Sequence, residues 1–147
     1  HFGQTSLRAV NLGDLLAAEG TLDDLSFRRA RHVLTENART LIAAEALAKG
    51  DLPTLVQVMG ESHNSMRDDF NITTPVIDRL VDIIADAGEG QAGVRMTGGG
   101  FGGCVVAVAP AVVIPRLMAA VSRTYAQETG CIPTLIPAKA SAGAFSN

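Results

Sequence analysis

Five glycines stand within six positions in the stretch Met96-Thr97-Gly98-Gly99-Gly100-Phe101-Gly102-Gly103-Cys104. Glycine adopts backbone angles that residues with a Cβ rarely reach. A run of glycines also leaves bare N–H groups in succession, a nest that can hold an anion, typically a phosphate. Gly98, Gly99, Gly100, Gly102 and Gly103 are therefore the candidate ligand-binding positions, with Thr97 as an auxiliary at the loop entrance. A plain flexible hairpin is the competing reading, although a two-residue hairpin needs one or two glycines rather than five. Each surplus glycine costs about 0.5–1 kcal/mol relative to alanine. No Gly-Lys-Ser or Gly-Lys-Thr follows, so this is not a Walker loop. A strand rather than a helix follows, which separates it from a dinucleotide fingerprint.

Other side chains offer less. Arg95, three residues before the loop, could reach a phosphate or sit in a structural salt bridge. Arg67 is a second auxiliary candidate, and Ser65 could contact a neighbouring loop. Asp68 and Asp69 are adjacent, so their carboxyl groups diverge and make a poor acid–base dyad. A solvated turn or helix cap suits them better. His32 and His63 lack a third ligand, and a core or surface role is favoured over a metal site. Cys104 lies in an apolar run and reads as a small core residue. Nothing in the composition supports pairing it with Cys131.

These residues need a scaffold, and the composition allows one. The chain has 147 residues, of which 47% are hydrophobic, enough for one domain with a core. A net charge of -3 gives no basic footprint for nucleic acid and no polybasic stripe for a membrane surface. No window approaches the ~20 apolar residues that a membrane span requires. No signal peptide opens the chain, so an intracellular, cytoplasmic location is the expectation. The chain starts at His1 rather than Met, without a cap or strand, and an upstream portion is expected.

The hydrophobic pattern predicts a short helix over Asn11 to Glu19, then a long one from about Leu25 to Lys49 capped by Asp23 or Asp24. Phe27, Ala30, Leu34, Ala38, Leu41 and Ala48 would form its apolar stripe. A third helix spans about Leu52 to His63, with Asp51 as cap, and the polar stretch Asn64 to Asp69 reads as outside the core. Thr74-Pro75 starts a helix toward Gly88. Gly93 to Thr97 and Cys104 to Ala109 read as an antiparallel strand pair around the glycine loop. A helix over Pro115 to Thr129, with Tyr125 inward, and a final strand at Thr134 to Ile136 complete the pattern. The fold class is α+β, a small antiparallel sheet covered by helices. Two parts are expected: residues 1–24 as a segment continuing from upstream, and 25–147 as the domain.

Gly93-Val94-Arg95-Met96-Thr97-Gly98-Gly99-Gly100-Phe101-Gly102-Gly103-Cys104 resembles the third signature of galactokinases, within the GHMP small-molecule kinase superfamily. Arg29-Ala30-Arg31-His32-Val33-Leu34-Thr35-Glu36-Asn37-Ala38-Arg39-Thr40 and Glu61-Ser62-His63-Asn64-Ser65-Met66-Arg67-Asp68-Asp69-Phe70 resemble two further galactokinase blocks. The likeness runs in order from about Phe27 to Pro137. It implies the ferredoxin-like C-terminal domain of that superfamily. It also implies transfer of the ATP γ-phosphoryl group to the C1 hydroxyl of galactose, with magnesium. By this resemblance, Gly98 to Gly100, Gly102 and Gly103 line the phosphate side of the cleft.

The family's galactose signature and its serine-rich phosphate loop do not occur here. The resemblance thus implies that the catalytic residues and magnesium ligands lie in a missing N-terminal domain, the principal partner. No catalytic residue is assigned in this chain, and the fragment alone is expected to be inactive and prone to self-association through an exposed flank. Another GHMP kinase and a non-catalytic galactose-sensing regulator on the same scaffold stay open as alternatives.

Overall fold

The computed structural model describes residues 1–140. A 3-10 turn at Leu7–Ala9 precedes α1 (Leu12–Ala17), α2 (Asp24–Lys49), α3 (Leu52–Asp68) and α4 (Pro75–Gly88). Then come β1 (Gly93–Thr97), β2 (Cys104–Val108) and α5 (Ile114–Thr129). The helix ends follow local chemistry. Asp23 accepts from the Ser26 amide at 2.9 Å and Asp51 from the Thr54 amide at 3.1 Å, each satisfying an otherwise orphaned donor. Gly50 and Gly130 close α2 and α5 in left-handed conformation.

β1 and β2 pair antiparallel, with Gly93 opposite Val108 and Thr97 opposite Cys104. The sheet has these two strands alone among the described residues. On one face, Val94 and Ala107 pack with Val81, Ile84, Leu117 and Val121 of α4 and α5; on the other, Val108 packs with Leu55, Val58 and Met59 of α3. Tyr125 is buried in the same cluster, as expected. A smaller cluster lies behind the start of the glycine loop, where Met96, fully buried, meets Met66 of α3 and Ile77 of α4. Residues before α2 are not free of the core either, because Leu15 is buried against Phe27, Ala30 and Leu34.

Four expectations change. The strand at Thr134 to Ile136 does not form: residues 131–140 have no regular element, and Leu135 touches the main cluster through its side chain only. Prolines at 133 and 137 remove N–H donors on either side of this short apolar run. Next, α3 runs on to Asp68 instead of stopping at His63, with Ser65, Met66 and Asp69 buried. Polar residues there are tolerated because α2 supplies their partners. Cys104 is exposed, not core, because it lies at the loop end of β2 opposite Thr97, whereas Val108 at the other end of the same face packs against Leu55 and Met59 of α3. Finally, the apolar stripe of α2 is buried only as far as Leu34; Leu41 is 73% exposed, because α3 packs instead against Ala43 and Ala46.

Candidate functional site

The glycine loop leaves β1 at Thr97 and enters β2 at Cys104. Gly98, Gly100, Gly102 and Gly103 all have positive φ, at 100°, 88°, 133° and 108°. Phe101 shares that region at 59°, an uncommon state for a residue with a Cβ, and its side chain is 76% exposed. The glycines serve different ends. A Cβ on Gly100 would stand 2.8 Å from both the Cβ and the carbonyl oxygen of Ile72, so close packing demands glycine there. Gly98, Gly102 and Gly103 are required by φ.

Gly99 is required by neither. Its φ is outside the positive range and a Cβ would meet nothing within 4 Å.

The loop is held internally at Phe101, whose N–H donates to the Ile72 carbonyl at 2.6 Å. Among the described residues, the amides of Gly99, Gly100 and Gly102 have no backbone partner. Thr97, Gly98, Gly99 and Gly103 are exposed. The arrangement is a tethered, outward-facing stretch of backbone, suited to an acceptor-rich ligand that comes close.

The auxiliary candidates are otherwise engaged. The Arg95 guanidinium donates to the Met96 carbonyl at 3.1 Å and to Met66 Sδ at 3.6 Å, and lies 3.5 Å from Glu36. It serves as a structural tie. Arg67 grips Asp68 with two bonds of 2.8 and 3.0 Å. Ser65 is buried between α2 and α3, where its hydroxyl donates to Asp69 at 3.0 Å and accepts from His32 Nδ1 at 2.9 Å. That direction follows from one hydroxyl proton being available, which leaves the His32 proton on Nδ1. Asp69 is therefore not a solvated turn residue; Arg31 pairs with its other oxygen. Phe70 stacks on His32 at 4.5 Å between ring centres.

One group near the loop was missed by reading the sequence. His63, 2% exposed, accepts from the Met96 amide through Nδ1 at 3.3 Å. Its Nε2 lies 3.2 Å from Asp78 Oδ1, a contact that falls short of hydrogen-bond geometry. Burial pushes the imidazole below its ordinary pKa, outweighing the attraction of the Asp78 carboxylate. No spacing signal links positions 63, 78 and 96, which lie on three different elements. Among the described residues, no three His, Cys, Asp or Glu side chains converge to hold a metal ion. No described helix is long and apolar enough to cross a membrane.

Residues 43–127, from the last turns of α2 through most of α5, match the family model described as GHMP kinases C terminal. This chain belongs to that family. The GHMP domain is also similar to the crystal structure of Lactococcus lactis galactokinase complexed with galactose, with a TM-score of 0.77 and 31% sequence identity. That likeness covers 87% of this chain and 33% of the galactokinase, so the chain spans about a third of its length. The resemblance read from three sequence blocks and the helix-covered antiparallel pair of a GHMP C-terminal domain are both supported by these matches.

Proposed function

We propose that this chain is the C-terminal part of an ATP-dependent galactokinase and that its glycine loop forms the phosphate-side wall of the nucleotide cleft. The observation that carries the reading is Gly99, a glycine that neither backbone conformation nor packing demands. Approach of a ligand from outside gives that position a reason to lack a side chain. Gly98, Gly100, Gly102 and Gly103 shape the backbone around it, and Thr97 opens it. Phosphoryl transfer depends mostly on positioning and on stabilising charge, so a wall of amides suits the chemistry.

The residues present fit the phosphates of ATP through backbone donors only. Arg95 and Arg67 are committed to Glu36 and Asp68. Magnesium, its ligands, the catalytic groups and the galactose site are assigned to the rest of the protein. The similar galactokinase, solved with galactose, supports that sugar as substrate. The uncovered Leu41 and Leu47 on α2 support association of this chain with another surface, either the remainder of the protein or a second copy. A cytoplasmic site of action accords with this chemistry.

The test is a sugar panel with ATP and magnesium on the full-length protein, together with calorimetry of ATP binding. Galactose should be phosphorylated in preference to other sugars, and Gly99→Val should weaken ATP at least about tenfold without lowering stability. Preference for a different small molecule would reassign the protein to another GHMP kinase. Galactose binding without turnover would make it a regulator. Unchanged ATP affinity in the Gly99→Val protein would remove the loop from the site.

A further inference from the structure

The two points at which the glycine loop is anchored return to a single side-chain chain. Before the loop, the Met96 N–H donates to His63 Nδ1 at 3.3 Å. The same imidazole meets Asp78 of α4 at 3.2 Å. The second oxygen of Asp78 accepts from the Thr73 hydroxyl at 3.2 Å. Thr73 follows Ile72, whose carbonyl accepts from the Phe101 N–H at 2.6 Å inside the loop. The segment Thr97 to Gly100, exposed at Thr97, Gly98 and Gly99, is thus flanked by an anchor to His63 and an anchor to Ile72, with Asp78 and Thr73 lying between these two. The His63–Asp78 step is a close contact and not a hydrogen bond.

We propose that His63 is a positioning residue for this loop: its imidazole brackets the segment Thr97 to Gly100 and holds those amides in the geometry that receives the nucleotide phosphates. This rests on the kinase reading above. A segment with three consecutive glycines has many backbone states open to it, and ordering it costs more than ordering any other residue type. Fixing both of its ends before ligand arrives moves that cost from binding to folding. The imidazole is suited to the task because its two nitrogens act in opposite senses. Nδ1 must be an acceptor for the Met96 N–H, which leaves the proton on Nε2, facing the Asp78 carboxylate. A side chain of similar volume without nitrogens would fill the same buried space but would leave the Met96 amide without its acceptor and Asp78 without this neighbour. Burying a polar ring is costly, and the Met96 N–H bond to Nδ1 offsets part of that cost, whereas Nε2 stands close to Asp78 without a hydrogen bond.

The charged groups around the imidazole come from both packed helices. Asp78 and Asp82 of α4 favour its cation and Arg67 of α3 disfavours it. The geometry of Met96 keeps the neutral form in place.

The experiment compares the full-length protein with His63→Leu, which removes both links, and His63→Asn, whose amide oxygen can stand near the Nδ1 position. Amide hydrogen exchange is followed on peptides covering 96–101 and, as a control, on peptides from α5. Expected for His63→Leu is exchange about tenfold faster at 96–101, with α5 unchanged, and an ATP KM about tenfold higher. The KM for the sugar and kcat should stay within about twofold, and His63→Asn should recover most of the ATP effect. Unchanged exchange at 96–101 in His63→Leu overturns the bracket. Parallel loss of ATP and sugar affinity in both variants, together with a lowered unfolding midpoint, reduces His63 to an ordinary core residue and overturns the positioning role. A working wild-type kinase whose His63→Leu form keeps its ATP KM overturns the positioning role alone. A wild-type protein that binds no ATP overturns the kinase reading and this inference together.

Discussion

Adjacent glycines in the loop should respond to alanine with opposite signs. At Gly100, a Cβ would sit 2.8 Å from the Ile72 Cβ and 2.8 Å from the Ile72 carbonyl oxygen, with φ at 88°. Holding alanine at such an angle costs roughly 1–3 kcal/mol. Relieving the overlap means moving Ile72 away, which breaks the Phe101 N–H bond to its carbonyl and costs about 1 kcal/mol more. The lower entropy of an unfolded chain with alanine offsets about 0.4–1 kcal/mol. The net expectation for Gly100→Ala is a loss of roughly 1–3.5 kcal/mol. At Gly99, φ is compatible with alanine and the space is open. There only the entropy gain remains, so Gly99→Ala should be neutral or more stable by up to about 1 kcal/mol. Urea unfolding of the two variants decides the matter, with the m-value checked to be unchanged so that the midpoints report stability. A Gly100→Ala protein within about 0.5 kcal/mol of wild type would refute the argument that Ile72 dictates glycine there. Equal destabilisation of both variants would refute the claim that Gly99 is free of internal constraint.

Three further outcomes are expected. Both His32 and His63 titrate below the ordinary imidazole value of about 6.5, chiefly because burial disfavours the cation. As pH falls, the unfolded chain therefore binds protons first, and the urea midpoint should be full above about pH 6.5 and lower at pH 5.5; a flat midpoint across that interval would contradict the burial. Glu36 accepts from Arg39 at 2.6 Å and Ser62 at 2.8 Å and lies beside Arg95. Glu36→Ala leaves these donors without their common acceptor and should cost about 2 kcal/mol in urea unfolding; a loss under about 0.5 kcal/mol would show that solvent satisfies them. Cys104 and Cys131 are both exposed, so Ellman's reagent should titrate two thiols in the native protein without denaturant, and a thiol that reacts only after unfolding would contradict that exposure.

Much of the architecture was legible locally. Helix caps were readable because a cap and its amide lie within three residues of each other, as with Asp51 and Thr54. Gly50 and Gly130 end helices for an equally local reason, their left-handed backbone. The loop stood out because five glycines in six positions leave a compositional mark that needs no knowledge of the fold. The family resemblance was readable on the same grounds, since its three blocks are contiguous in the chain.

What lay beyond the sequence depends on contacts between distant segments. The polar turns at the end of α3 looked like loop until α2 supplied His32 and Arg31 as partners for Ser65 and Asp69. Cys104 looked buried because an apolar run does not reveal how far along each face of its strand the cover extends. The run from Thr134 to Ile136 has strand-like residues, but a strand also needs an edge to pair with, and flanking prolines weaken that pairing. The sequence by itself determined the helices, the strand pair and the position of the glycine loop, because those follow from neighbours a few residues apart. Only tertiary structure decided that Ile72 fixes Gly100 and that His63 reaches Met96 across 33 positions, because periodicity and composition carry no information about which remote side chain fills a given space.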